Sequence, residues 1–182
     1  MIKSIVRQFG EPLARGTNVL TMTKPLVRQH ADALCSLHRS IPYVSWGPED
    51  FLADSAPGRH FTGKWDLSCM VFDDVGGLAG FMVAYLREHS AGHPYRSLYL
   101  HRMAVHTRHR GQGIARRILT LYDERARHYD PFLEYLTLQT NIDPANQWII
   151  DFYERMGFEK TVLVRYPEKT DWLMVRRLTI SR

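Results

Sequence analysis

The sequence predicts an α/β domain: a mixed, mostly antiparallel central sheet with helices on both faces. Three observations carry this. A strand, a glycine turn and an amphipathic helix follow one another from Leu98 to Tyr129. Gly76-Gly77 joins two apolar runs as a hairpin would. The whole order reads strand, two helices, hairpin, strand–helix–strand, helix, two strands, a pattern that needs helices packed on the faces of a sheet.

Taken in order, residues 1–17 carry Gly10, Pro12 and Gly16 without periodicity and read as an N-terminal extension to a core of about 18–179. A short strand over Asn18–Lys24 precedes a helix from about Val27 to Ser40, in which Val27, Ala31, Leu34 and His38 recur at helical spacing, with Pro42 beyond its end. Tyr43 to Phe61 is rich in Gly, Pro and aromatics, and Pro48-Glu49-Asp50 can open a short helix there. Trp65–Phe72 reads as a strand ending at Asp73-Asp74, followed by the glycine turn and the strand Leu78–Arg87. After the polar loop Glu88–Arg96, the apolar density of Ser97–Val105 predicts a central strand buried on both faces.

In the next helix Ile114, Ile118, Leu121 and Tyr122 form one stripe, and Pro131 lies past its end. Leu133–Thr140 reads as a strand. Asp143-Pro144 is a helix start, with Asp as N-cap and Pro at the first helical position. Trp148, Ile149, Phe152 and Met156 supply the apolar face, and Gly157-Phe158 closes the helix as a left-handed cap. Two final strands, about Glu159–Tyr166 and Trp172–Thr179, flank a turn containing proline.

At 182 residues and 45% apolar content, one ordinary globular domain spanning residues 1–182 is expected. The net charge of +5 suits an anionic partner, either nucleic acid or a phosphorylated cofactor, without choosing between them. Cys35 and Cys69 are too few for a disulfide framework and lack metal-ligand spacing, so a reduced, cytoplasmic chain without metal is the expectation. Gly76–Leu86, the longest mostly apolar stretch, is too short to cross a bilayer. No secretory signal is evident at the N-terminus, and no membrane association is expected.

The strongest chemical signal is Arg108-His109-Arg110-Gly111-Gln112-Gly113 at the head of the helix. The glycines let backbone approach a ligand, and the unpaired N–H groups of the first turn favour an anion such as pyrophosphate. Arg108, Arg110, Arg116 and Arg117 add positive charge. The run is neither a dinucleotide fingerprint, since Arg116 stands where a third small residue is needed, nor a P-loop, since no Lys-Ser/Thr follows. Read alone, it could also be a glycine turn capping a helix with a solvated basic face.

The stretch Met103-Ala104-Val105 through Arg108-His109-Arg110-Gly111-Gln112-Gly113-Ile114-Ala115 resembles the acyl-CoA motif of the GCN5-related N-acetyltransferase (GNAT) superfamily, (Arg/Gln)-x-x-Gly-x-(Gly/Ala). That family's next motif, Asn-x-x-Ala-x-x-(Leu/Phe)-Tyr-x-x-x-Gly-Phe, is matched by Asn146, Phe152, Tyr153, Gly157 and Phe158, with Ile149 in place of alanine. The resemblance implies acetyl-CoA as co-substrate, bound between two splayed central strands, Ser97–Val105 and Leu133–Thr140. Backbone of Met103, Ala104 and Val105 would hold the pantetheine arm. Amides from Arg108 through Arg110, Gly111, Gln112 and Gly113 to Ile114 would hold the pyrophosphate, with Ala115, Arg116 and Asn146 beside them. The reaction implied is direct attack of an amine on the thioester, giving a tetrahedral oxyanion and a thiolate leaving group. No nucleophile from the protein is needed, so neither cysteine is required.

By its family position Tyr153 is the candidate acid toward the leaving thiolate, and packing beside Phe152 is the alternative. For the base, Tyr99, His101, Met103 and Val105 are expected to alternate onto one strand face. His101-Arg102-Met103-Ala104-Val105-His106 resembles arylalkylamine N-acetyltransferases, where a histidine at the His101 position is implicated in proton removal. Histidine as a residue type suits that role near neutral pH. A buried structural histidine is the alternative, and Glu88 and Glu134 flank the strand. His101, His106 and His109 do not make a convincing metal site. Tyr43, Trp46, Phe51, Phe61 and Trp65 could line an acceptor pocket or belong to the core. The expectation is therefore an N-acetyltransferase whose partners are acetyl-CoA and a primary amine, a small molecule or a protein amine, with a homodimer left open. A non-catalytic acyl-CoA sensor or a basic nucleic-acid-binding module is the rival, and nothing in the sequence resembles a nucleic-acid-binding motif.

Overall fold

The structure is a computed structural model that describes residues 16–41, 45–56, 61–89 and 95–178. Seven strands form one sheet in the order β1-β2-β3-β4-β5-β7-β6. They are β1 (Asn18–Thr21), β2 (Cys69–Phe72), β3 (Leu78–Arg87), β4 (Ser97–Val105), β5 (Tyr135–Asn141), β6 (Glu159–Arg165) and β7 (Thr170–Arg177). Every neighbouring pair is antiparallel except β4 and β5. That one parallel pair follows from the crossover between them, because a helix returns the chain to the same end of the sheet.

The helices divide between the two faces. On one lie α1 (Lys24–Gln29), α2 (Ala31–His38) and α3 (Pro48–Leu52). They bury Val27, Leu34, Leu37 and Phe51 against Phe81, Val83 and Tyr85 of β3. On the other lie α4 (Lys64–Leu67), α5 (Ile114–Tyr129) and α6 (Gln147–Arg155). Here Ile114, Ile118, Tyr122, Ile150 and Tyr153 pack on Met82, Ala84, Leu98 and Leu100. β3 is buried along nearly its whole length because both its faces are covered.

Several boundaries differ from expectation. The single helix over Val27–Ser40 is two, broken at His30, whose ψ of 21° leaves the helical range. The break angles both pieces onto the sheet, and the His30 ring packs 4.8 Å from Phe72. The first strand stops at Thr21 because Thr23 caps α1, its hydroxyl accepting from the Leu26 amide at 3.4 Å. Trp65–Phe72 is not one strand: α4 occupies its start and β2 begins at Cys69. The cause is Lys64, a buried lysine whose ammonium donates to the carbonyls of Asp50 (3.3 Å), Phe51 (2.7 Å) and Ala53 at the end of α3. Three donors meet three acceptors, which satisfies the ammonium and ties the start of α4 to the end of α3. Asp143 caps a 3-10 turn at Pro144–Asn146, and α6 begins after it, at Gln147. Residues 1–15, with Pro42, Tyr43 and Thr179, lie outside the described residues.

One further difference bears on the site. Val83 faces Arg102 but Ala84 faces Leu100, so β4 has one extra residue, His101, against β3. Such a bulge resets the alternation of side chains. Met103 packs with the α5 face, whereas His101 stacks among Trp46, Tyr85 and Tyr99 on the opposite one. The expectation that Tyr99, His101, Met103 and Val105 share one face is thus corrected. Tyr99 and His101 lie together, their rings 5.4 Å apart; Met103 and Val105 belong with the α5 side.

Candidate functional site

β4 and β5 pair only from Ser97–Tyr135 to Leu100–Leu138. Beyond those residues each strand continues without the other, Arg102 to Val105 still paired with β3 and Gln139 to Asn141 still paired with β7. The backbone edges facing each other across the gap are therefore left without ladder partners. A cleft of about 740 Å³ opens there.

Its walls collect most of the residues singled out from the sequence. Met103, Ala104 and Val105 line one edge; Arg110, Gly111, Gly113, Ile114, Ala115 and Arg116 close one end; Asn146 and Tyr153 face them from the other strand's side. His101 lies where this cleft meets a second pocket of about 480 Å³. Arg108 and Gln112 are not among the lining residues. The Arg108 guanidinium turns to the β2–β3 turn, donating to the buried carboxylate of Asp73 at 2.8 Å, and Gln112 donates back to the Arg108 carbonyl at 3.3 Å.

The turn has the conformation that only glycine adopts readily. Gly111 and Gly113 have φ of 78° and 80°, and a Cβ built on either meets nothing within 4 Å. Open space, not crowding, surrounds these two positions. Gly113 is the N-cap of the 16-residue α5 and offers no side-chain acceptor, and no acid lies in the first turn. The first amides of a long helix thus face open space with Arg110 and Arg116 beside them, a setting that favours an anion. The Arg110 guanidinium sits 5.7 Å from the centroid of the half-exposed Trp148 ring. Arg117, by contrast, turns away toward Glu124, at 3.8 Å.

Tyr153 projects from α6 with its ring against Phe152 and Phe158, at 5.4 and 5.8 Å. Burial alone pushes its phenol well above the ordinary tyrosine range, so it is neutral across physiological pH. Glu88 and Glu134 are at the wrong end of the sheet, beside Ser97 and Tyr135, where Glu88 pairs with Arg96 at 3.1 Å and Glu134 lies 3.8 Å from Arg177. Of the aromatics, Trp46 and Phe61 line the second pocket, Phe51 is core, and Trp65 stacks beneath the Lys64 ammonium at 4.8 Å. Arg102, Gln139, Lys169 and Asp171, which no sequence motif marks, all line both pockets. Only Arg102 left a signal, as a lone cation inside an apolar strand.

The sequence matches the family described as Acetyltransferase (GNAT) family over residues 31–158. The chain belongs to the GNAT acetyltransferase family. A search of curated protein sequences finds no match. Among solved structures, Ard1 from Thermoplasma volcanium shares 14% identity at a TM-score of 0.70, covering 90% of this chain and 99% of that one. The ribosomal-protein-S18-alanine N-acetyltransferase from Escherichia coli shares 14% at 0.65, covering 91% and 96%. Arabidopsis thaliana Naa50, in complex with the bisubstrate analogue CoA-Ac-MVNAL, shares 15% at 0.66, covering 88% and 98%. At such identities the likeness is one of fold, and it is the GNAT fold with its open central sheet. Among the described residues no helix is long and apolar enough to cross a membrane, and no cluster of side chains could hold a metal ion.

Proposed function

We propose that this GNAT enzyme transfers the acetyl group of acetyl-CoA to a primary amine by direct attack. The observation that carries the reading is the cleft at the β4/β5 split, closed at one end by the uncapped α5 N-terminus and lined at the other side by Tyr153. A pyrophosphate fits that end: two glycines leave room, backbone amides donate, and Arg110 and Arg116 supply charge. The CoA analogue held by the Naa50 structure supports the same ligand class.

Bound acetyl-CoA supplies an activated thioester carbonyl. The unpaired edges of Met103 to Val105 hold the pantetheine arm as an added strand would. Tyr153, kept neutral by burial, donates its hydroxyl hydrogen to the departing sulfur and regains a proton from solvent once the thiol has left. The amine must lose a proton to attack, and His101, at the junction of the two pockets, relays it to solvent. The nucleophile is the substrate's own nitrogen. Cys35 and Cys69 are buried on the core side, and burial raises the pKa of each, so neither is an activated thiol. The basic excess serves the cofactor site. The test is CoA-thiol release from acetyl-CoA with a panel of primary amines. Acetylation of at least one amine is expected, and acetyl-CoA binding without turnover of any would favour the sensor reading.

A further inference from the structure

Arg102 occupies an unusual position. The bulge that displaces His101 puts the next residue, a guanidinium, at the boundary between the two pockets, stacked 5.4 Å from the Trp46 ring. Its Nη1 donates to the neighbouring His101 carbonyl at 2.7 Å. Its Nε is buried and has no acceptor among the described residues, and no carboxylate among them lies within ion-pair distance. A half-buried guanidinium with no carboxylate paired to it is costly to keep, and fixed over an indole while lining both pockets it presents its positive charge to an anionic partner that enters them.

The surrounding acids are already engaged. Asp171, nearly fully buried, is paired with Lys169 at 2.6 Å and accepts from Asn141 at 3.4 Å. Asp50 accepts from the Gly47 amide at 2.9 Å, holding the start of α3. Glu168 lies on the exposed rim. A second polar atom nearby is also unsatisfied: the hydroxyl of Tyr85, a fully buried residue whose ring stands 5.6 Å from His101, has no partner among the described residues.

We infer that Arg102 binds a carboxylate of the acceptor, so that the substrate is a small primary amine carrying a carboxyl group close to its nitrogen, such as an amino acid. The inference rests on the acetyltransferase reading. Arg102 and His101 are adjacent on the bulge, so anchoring the carboxylate on Arg102 leaves the amine of a short substrate beside His101 and facing the cleft. A polyamine, by contrast, would bring further positive charge against a guanidinium that no carboxylate is paired with.

The experiment measures kcat/KM for the common α-amino acids, β-alanine and 4-aminobutyrate, each against its carboxamide, with putrescine and a short neutral peptide as further acceptors. At least one carboxylate is expected to exceed its amide about tenfold to a hundredfold, the value of a charge-assisted bond to a buried group. In Arg102→Gln that preference should vanish through a raised KM, with acetyl-CoA affinity by calorimetry unchanged; Arg102→Lys should recover part of it. The wild-type comparison needs no variant and so stands if Arg102→Gln fails to fold. Equal rates for acids and amides, or preference for putrescine or the peptide, overturns the inference while leaving acetyl transfer intact. Acetyl-CoA binding with no turnover of any acceptor overturns it as well. Failure to bind acetyl-CoA refutes the acetyltransferase reading itself.

Discussion

Leu100 and Leu138 stand opposite each other as the last paired residues of β4 and β5. Beyond them the two strands hold to their outer neighbours, β3 and β7, and part from each other. One parallel pairing of four residues therefore sets where the cleft begins, and α5, which connects these two strands, delivers its N-terminus to the open end.

Tyr153 offers the clearest catalytic test. Tyr153→Phe removes one oxygen and keeps the ring contacts with Phe152 and Phe158. Turnover should fall about a hundredfold, with little change in acetyl-CoA affinity, because the hydroxyl is used as charge develops on sulfur. Burial holds the phenol's pKa far above neutrality, so the wild-type group stays protonated and the defect should be constant from pH 6 to 9. Full turnover in the variant would make Tyr153 a packing residue.

His101→Gln keeps size and polarity but cannot take a proton. It should depress kcat/KM most at neutral pH and recover partly at alkaline pH, where more of the acceptor is already the free amine. Superimposable pH profiles of the two proteins would leave bulk water as the base.

A stability prediction comes from His38, which is fully buried among Trp46, Phe51 and Phe81. Burial, aided by the charge of Arg102, lowers its pKa to about 4. The unfolded chain binds this proton from about pH 6.5 downward while the folded one does not. Stability is thus full above pH 6.5 and declines as pH falls toward 4, by at most about 1.4 kcal/mol per pH unit from this group. In urea melts at pH 7.5 and 5, His38→Leu should lose less stability between the two than wild type. Equal losses would show that His38 is not the acid-sensitive group.

Much of this was legible in the sequence. The glycine turn, α5, the hairpin and α6 follow from patterns spanning many residues, where each apolar side chain repeats the same message. Three features were not. The bulge at His101 depends on the register between β3 and β4, a long-range relation that no alternation within β4 reveals. The helical turn at Lys64 depends on carbonyls 11 to 14 residues away at the end of α3. Gln139, Lys169 and Asp171 come to the pockets from β5 and β7 with no motif around them. Arg102 could have been flagged, since a single arginine between His101 and Met103 in an apolar strand must be buried or must bend the strand.

Nucleic acid offers a check on the basic surface. Of the arginines near the turn, Arg110 and Arg116 line the cleft, while Arg108 and Arg117 are paired with Asp73 and Glu124. Binding to duplex or single-stranded nucleic acid should be weak and should disappear at physiological salt. Tight binding that survives such salt would give the charge another purpose.

The central claim is that acetyl-CoA occupies the β4/β5 cleft with its pyrophosphate at Gly111–Ile114, and calorimetric titration of wild type and Gly111→Trp with acetyl-CoA tests it most directly. The left-handed φ of 78° and the open space at Gly111 mean that an indole there both strains the turn and fills the anion's place. Wild type should bind one acetyl-CoA per chain, and the variant, shown folded by circular dichroism, should bind none. Equal affinity in a folded Gly111→Trp protein would contradict the account.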